Sequence, residues 1–285
     1  MSDDFNIASR IASRFLGAHT FEQVSGKGSC NKAFVATGAN RKIVIRLNND
    51  RDIREFDKEN WCMQQARALG VHTPEPLGHG MEQGWNYSAQ TYEGDLHGEE
   101  LADQPKLWRW LGAEAAKFHR IATKGFGAVL ENEKTGHFSE NWDDYVTGNL
   151  DALNSKTSCE KLNDRQIGNL EQRFESLASV RPVFGLCHGD LMPRNVVASG
   201  DRLSLIDWGC AEAHIVPHFD LREILREHDF EGSELAAFAE GYGVGLNEMR
   251  LEIENVILIG AFDLTRWARD RAPEMLAKKE SQFHN

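Results

Sequence analysis

Residues 187–209 read CHGDLMPRNVVASGDRLSLIDWG, and in them three polar side chains, Asp190, Asn195 and Asp207, punctuate two short apolar runs. The runs, NVVAS and LSLID, flank Gly200-Asp201, a dipeptide suited to a tight hairpin turn. Pairing 196–199 with 203–206 about that turn predicts Asn195 and Asp207 opposite each other at the open end, with Asp190 in a loop just upstream. Two carboxylates and one amide then converge. A hard divalent cation such as Mg2+ takes oxygen ligands and keeps some of its waters, so an Asn and an Asp oxygen, completed by substrate phosphates, form a sufficient set. Asp190 remains to meet a hydroxyl.

Around this stretch the 285-residue chain is 41% hydrophobic, enough for a sizeable core in one large domain or two lobes. Five cysteines, Cys30, Cys62, Cys159, Cys187 and Cys210, are odd in number and form no CxxC pair. That argues against a disulfide framework or a thiolate zinc site and fits a reducing cytosol. The opening MSDDFNIASRIASRF lacks a basic region followed by an apolar core, and the longest apolar run, VILIGAF at 256–262, is too short to span a bilayer. The expectation is a soluble, cytoplasmic protein with no membrane partner. With 44 acidic and 32 basic residues the net charge is −12, which disfavours nucleic acid as a partner and suits a cationic small molecule. Acidic balance is also common in plain cytosolic enzymes.

No repeat, low-complexity tract or Pro/Gly/Ser linker interrupts the chain. An amphipathic opening (Ile7, Ile11, Phe15) gives way to Gly-bounded strand signals in KAFVA and KIVIRL. EFDKENWCMQQARALG then reads as a helix ended by Gly70, with Pro74 and Pro76 beyond it, and WNYSAQTY as a further strand. From about residue 94 the spacing turns helical, through Leu107, Trp110, Leu111, Phe118 and Ile121, then Leu162, Ile167, Leu170, Phe174 and Leu177, then residues 248–270. Strand signals in this second part are confined to the two runs about Gly200-Asp201. The expected fold is α+β, a β-rich lobe over residues 1–92 and a helical lobe over 93–285 that carries one hairpin.

Asp-x4-Asn followed by Asp-aromatic-Gly is the layout of a kinase catalytic loop and metal loop. HGDLMPRN with IDWG resembles the aminoglycoside phosphotransferase family, kinase-like enzymes that phosphorylate small molecules and in which Gly, as at Gly189, commonly follows the motif His. The resemblance implies a bilobal protein-kinase-like fold, Asp190 near the attacking hydroxyl, Asn195 and Asp207 holding Mg2+, and ATP or GTP as co-substrate. It extends over nearly the whole chain. GKGSCN at 26–31, with Ser29, resembles the loop over the nucleotide phosphates, and IVIRL the third strand. KENWCMQQARALGVHTPEPLG resembles the helix and proline turn that follow, so Glu59 takes the place of the helix glutamate. YEGD resembles the end of the hinge, which would put Gln90 and Tyr92 where backbone groups meet the base. PHFDLREIL resembles the segment after the metal loop, with Asp220 structural.

In the family, the strand residue that contacts the phosphates and pairs with the helix Glu is commonly Lys. Here it is Arg46, which keeps the charge and changes the shape. Arg is usual in the branch acting on hygromycin B, which IVIRLN, GFG at 125–127 and NWDDY also resemble, whereas GCAEAHIVP after Trp208 departs from that branch on the substrate side. The implied activity is transfer of the γ-phosphoryl group to a hydroxyl of a small, cationic, polyhydroxylated molecule of the aminoglycoside or aminocyclitol type, in antibiotic resistance or in housekeeping metabolism. Acidic residues on the candidate rim, Asp143, Asp144, Glu212, Asp229 and Glu231, suit such an acceptor. If they are ordinary solvated surface, a neutral metabolite or a macrolide is the alternative. A protein kinase needs room for an activation loop, and only WGCAEAHIVPHF separates Asp207 from Asp220. A nucleotide-binding scaffold of the same fold without catalysis would not need Asp190, Asn195 and Asp207 together, but the Arg in place of Lys at position 46 keeps it as an alternative. His214 and His218 are spaced like a metal pair, but Pro217 spoils the helical geometry that spacing requires, and His119 reads as a core residue satisfied by a hydrogen bond.

Overall fold

In the computed structural model, which describes residues 3–24, 31–49, 53–154, 162–178, 182–228, 230–254 and 256, the opening helix α1 (Asp3–Leu16) turns Ile7, Ala8, Ile11 and Ala12 inward. They land on an antiparallel sheet of β1 (Thr20–Gln23), β2 (Lys32–Thr37), β3 (Lys42–Asn48), β4 (Pro76–Glu82) and β5 (Trp85–Thr91), in the order β1-β2-β3-β5-β4. Strand alternation sorts the side chains. Phe34, Ala36, Ile43, Ile45, Leu47, Tyr87 and Ala89 form one core with α1. Their chain neighbours Arg46, Asn48, Asn86, Ser88 and Gln90 point to the opposite face and are equally buried. The register sets Arg46 beside Ser88 and Val44 beside Gln90, so the polar groups run in a row across β3 and β5. A sheet face that buries polar groups lines a cleft, not a dry core.

Helix α2 (Arg54–Ala68) follows β3 and stops where the sequence predicts, at Gly70 in the left-handed region (φ +75). β4 opens on Pro76 at the sheet edge, where a missing N–H breaks no ladder. The second part comprises β6 (Leu96–His97), α3 (Gln104–Phe118), β7 (Lys124–Asn132), β8 (His137–Glu140), α4 (Trp142–Asn154), α5 (Asp164–Ala178), β9 (Gly185–Cys187), β10 (Val196–Ser199), β11 (Arg202–Leu205), β12 (Glu212–His214), α6 (His218–Glu227) and α7 (Gly232–Tyr242). The architecture is the expected α+β, bilobal kinase-like one, β-rich first and helical second.

Two details differ from expectation. The helical part holds two small sheets, β11-β10-β6 and β8-β7-β12-β9, and not the lone hairpin. Most of the added strands are two to four residues long, too short for a periodic signal, and β7 is broken by Gly125 and Gly127 at φ +78 and +95. On α3 the fully buried indole is Trp108, while Trp110 is only partly covered. Helices α3 and α7 touch backbone to backbone, since a Cβ on Gly112 would lie 2.2 Å from the Phe238 carbonyl oxygen. Residues 246–254 are helical, and the expected pattern beyond residue 256 lies outside the described residues. Cys62, Cys187 and Cys210 are free thiols. Among the described residues no helix is long and apolar enough to cross a membrane.

The linker between α2 and β4 is stitched to the hairpin of β10 and β11. The His72 carbonyl accepts from the Leu205 amide at 2.8 Å, Thr73 Oγ1 donates to the Leu205 carbonyl at 2.7 Å, and Trp208 Nε1 donates to Thr73 Oγ1 at 2.8 Å. These bonds hold residues 205–208 against the sheet-bearing part of the chain.

Candidate active site

Strand β9 leads into His188, whose ring is fully buried. Nε2 donates to the Ile206 carbonyl at 3.0 Å, and Nδ1 accepts from the Asp190 amide at 3.3 Å. The amides of His188 and Gly189 donate to the two oxygens of Asp220 at 3.0 and 2.7 Å. His119 Nε2 lies 2.9 Å from the same carboxylate, and its Nδ1 meets Tyr242 Oη at 2.9 Å. Burial alone would raise the Asp220 pKa, but the hydrogen bond and charge of His119, with those of His188, hold it below the ordinary carboxylate value. Asp220 and His119 are therefore the frame of the loop, as expected. Gly189 sits at φ +76, and a Cβ there would stand 2.0 Å from the Cys210 carbonyl oxygen, so only glycine lets the loop close on the turn Trp208–Cys210.

Asp190 then emerges half-covered. Its Oδ2 accepts from Asn195 Nδ2 at 2.7 Å and its Oδ1 from Arg194 Nη2 at 2.5 Å, while its carbonyl also accepts from Asn195 Nδ2 at 2.8 Å. With its nitrogen committed to Asp190, the Asn195 amide presents its oxygen as the group able to ligate a cation.

The hairpin pairs one residue away from the expected register. Val196 faces Leu205 and Ser199 faces Arg202, because Arg202 joins the strand and leaves only Gly200-Asp201 as the turn. Asn195 thus receives the Ile206 amide at 2.8 Å, and Asp207 stands one residue past the pair. It still reaches the site because its backbone is left-handed (φ 64, ψ 64), a conformation Asp tolerates better than most residues. Trp208 anchors that turn, fully buried, bonded to Thr73 and packed edge-on against His188 and Phe118 at ring distances of 4.8 and 5.2 Å. The Asp207 carboxylate is left 56% exposed, with Oδ1 3.6 Å from Arg46 Nη1.

Arg46, on the polar face of β3, is also paired with Glu59 of α2. Burial opposes its charge, but Glu59 and Asp207 more than offset this and raise the guanidinium pKa. Arg46 Nε, Glu59 Oε1, Ser88 Oγ and Gln90 Oε1 are buried with no hydrogen-bond partner. Orphaned donors and acceptors in a row are what a polar ligand would satisfy. The donor set of Asn195 and Asp207 oxygens, beside Asp190, fits a hard cation that keeps waters.

Gln90 lies within β5, and the Tyr92 amide donates to the Lys42 carbonyl at 3.2 Å, so that amide is engaged in the protein. Tyr92 Oη bonds Asp95. Ser29, with the rest of 26–30, and Asp229 lie outside the described residues.

Of the rim carboxylates, Glu212 comes to the catalytic loop, since β12 pairs it with Cys187. Burial pushes its carboxyl up to about 7 against the pull of Arg222 and Lys58, and Glu140 and Glu223 push the same way. Asp143 and Asp144 are exposed in the first turn of α4, where their amides donate to Asn141 Oδ1. Glu231 precedes α7, which packs on α3, and so is not gathered with them. Sequence reading passed over Glu140 and Lys58. Glu140 Oε1 accepts from the Ala128 amide at 2.9 Å, and its carboxylate lies where a Cβ on Gly127 would be, so the GFG motif was the available signal. His214 is buried against Phe126 and Phe219, while His218 Nε2 meets Glu252 at 2.5 Å, which divides the two between different surroundings.

A bilobal frame in which a strand cation, Arg46, pairs with a helix carboxylate, Glu59, and reaches an aspartate, Asp207, that follows a His-Gly-Asp loop is that of the kinase-like small-molecule phosphotransferases. The sequence model of the phosphotransferase enzyme family matches residues 20–251, and the chain belongs to that family. Comparison with curated proteins finds no match. Among solved structures the chain resembles a thermostable mutant of aminoglycoside phosphotransferase APH(4)-Ia in complex with ADP and hygromycin B, with a TM-score of 0.65 and 18% identity over 92% of this chain and 91% of that one. Spectinomycin phosphotransferase APH(9)-Ia, with ADP and spectinomycin, gives 0.61 and 14% over 100% and 95%. Macrolide 2′-phosphotransferase MphH from Brachybacterium faecium gives 0.60 and 18% over 95% and 96%. These likenesses show the fold.

Proposed function

We propose that this phosphotransferase moves the γ-phosphoryl group of ATP or GTP to a hydroxyl of a small, cationic, polyhydroxylated acceptor of the aminoglycoside or aminocyclitol type. The observation that carries the reading is Arg46, one buried cation that reaches Glu59 on α2 and Asp207 on the metal loop at the same time. In this reading residues 1–92 hold the nucleotide and residues 93–285 supply the catalytic loop and the acceptor side. A bound Mg2+, held by Asn195 and Asp207, would supply charge neutralisation at the phosphate oxygens. Arg46 counters phosphate charge, and Ser88 and Gln90 offer hydrogen bonds along the cleft. Asp190, held by Asn195, orients the acceptor hydroxyl and takes its proton late. The work is mostly positioning, so no strongly shifted base is required.

The test is a panel of hydroxylated amines and sugars scored for a nucleotide-dependent gain of one phosphoryl mass. Phosphorylation confined to uncharged members would overturn the acceptor class. For the phosphate side, Arg46→Ala should raise the nucleotide KM and lower kcat, and Arg46→Lys should keep part of the activity at a geometric cost. Unchanged kinetics in Arg46→Ala would move the role to another cation.

Support for a cationic acceptor comes from the net charge of −12 and from Glu212, Glu140 and Glu223 near the catalytic loop. Steering into an acidic cleft is screened, so the acceptor KM should climb steeply from low to physiological salt. Because Glu212 loses its proton near 7, the attracting carboxylate is present above that pH and absent below it. The KM should therefore fall as pH rises through 7, and Glu212→Gln should remove the step. A KM indifferent to both salt and pH would favour the neutral acceptor.

A further inference from the structure

The catalytic loop carries one charged group that the mechanism above leaves without a role. Arg194 and Asn195 are adjacent in the turn Pro193–Asn195, and they grip Asp190 from opposite ends. Arg194 Nη2 is 2.5 Å from Oδ1, and Asn195 Nδ2 is 2.7 Å from Oδ2. The turn is well held. The Asn195 amide donates to the Met192 carbonyl at 2.9 Å, and Gly98 packs so closely that a Cβ on it would lie 2.4 Å from the Pro193 carbonyl oxygen. The Arg194 side chain is 36% exposed and that of Asp190 23%, so both are reachable from solvent. A carboxylate has about four lone-pair directions, which lets Asp190 keep both contacts and still accept a hydroxyl. An acceptor oxygen held there lies within one guanidinium's reach of Arg194, and the phosphoryl group must travel to that oxygen.

We propose that Arg194 is a catalytic residue of phosphoryl transfer, which holds Asp190 in the resting enzyme and donates another N–H to an equatorial oxygen of the phosphoryl group in flight. This rests on the reading of Asp190 as the carboxylate that meets the acceptor. In the step, the acceptor oxygen bonds to the γ-phosphorus as the bond to the bridging oxygen breaks. The nucleoside diphosphate leaves with the electron pair, and the hydroxyl proton passes to Asp190. Protonation weakens the hold of Asp190 on Arg194 while the transferring group is in contact, so the cation shifts toward the phosphoryl oxygens. A guanidinium suits the exchange because it is always charged and carries five donors in a fixed plane, enough to serve two anions from different edges. Arg46 and Arg194 then stand on the nucleotide and acceptor sides of the same group.

The acceptor is not needed for the test. Magnesium ATP with water as acceptor reads turnover, and magnesium ADP with and without aluminium fluoride, a mimic of the phosphoryl group in flight, reads binding by calorimetry. Arg194→Ala should slow hydrolysis roughly 100-fold and weaken binding of ADP with aluminium fluoride by about the same factor. Its affinity for magnesium ADP alone should stay within about twofold of wild type, which also shows that the variant is folded. Arg194→Lys should fall between the two proteins. Unchanged affinity for ADP with aluminium fluoride in Arg194→Ala, whatever its turnover, would overturn the proposal, because the residue would then serve only to position Asp190. A wild-type protein that binds no magnesium ADP would instead overturn the kinase reading as a whole.

Discussion

Asp190→Asn should bind magnesium nucleotide almost as the wild type does and turn over roughly two to four orders of magnitude more slowly. The substitution keeps the size of the side chain but not its chemistry. Asp190 accepts on both oxygens, from Arg194 and from Asn195, and an amide can accept on only one. The other end would present N–H groups to a donor, so the loop loses one of its two grips together with the proton acceptor. The ion pairs of Arg46 with Glu59 and Asp207, which the proposed reading puts on the nucleotide side, do not involve Asp190. Initial rates on the acceptor, alongside a nucleotide titration, separate the two effects. Near wild-type turnover would take the acceptor-orienting role away from Asp190.

The second large effect concerns Asp207. Asp207→Ala should weaken magnesium-dependent nucleotide binding by roughly 100-fold, against roughly 10-fold for Asn195→Ala, because losing an anion beside a dication outweighs losing a neutral oxygen. The left-handed backbone at this position adds strain for alanine, so Asp207→Asn is the needed companion. It tolerates the backbone and removes only the charge. The measurement is nucleotide affinity with and without magnesium. Equal wild-type affinities under the two conditions would sink the metal assignment.

Much of this site is written in short-range pattern. The spacing of Asp190, Asn195 and Asp207 needs only a loop, a short turn and a hairpin, each signalled within a few residues. The i, i+4 spacing of α1 and the alternation in KIVIRL and WNYSAQTY place one apolar face and one polar face, which is why Arg46 and Gln90 share a cleft wall. The register slip at the hairpin shows the limit of such reading. Whether Arg202 belongs to the turn or the strand changes the pairing by one residue, and side-chain polarity does not distinguish the two. The missed strands β6, β9 and β12 are two or three residues long and exist because partners distant in sequence pair with them.

By itself, then, the sequence determined the two-lobed α+β order and the family, and it gathered Asp190, Asn195 and Asp207 into one short stretch of chain. Their directions came from elsewhere in the chain. Asp207 faces Arg46 because Trp208 is bonded to Thr73, 135 positions away, and Asp190 faces the cleft because Asp220 and His119, 101 positions apart, hold His188 and Gly189. Glu212 acquires a pKa near 7 only from burial among Arg222, Lys58, Glu140 and Glu223, which arrive from three other elements. Local pattern depends on sterics and hydrophobic periodicity over one or two turns of chain, which a sequence shows directly. The aim of a carboxylate and its proton affinity depend on desolvation and on charges brought close only by folding, and those distances exist in the tertiary structure alone.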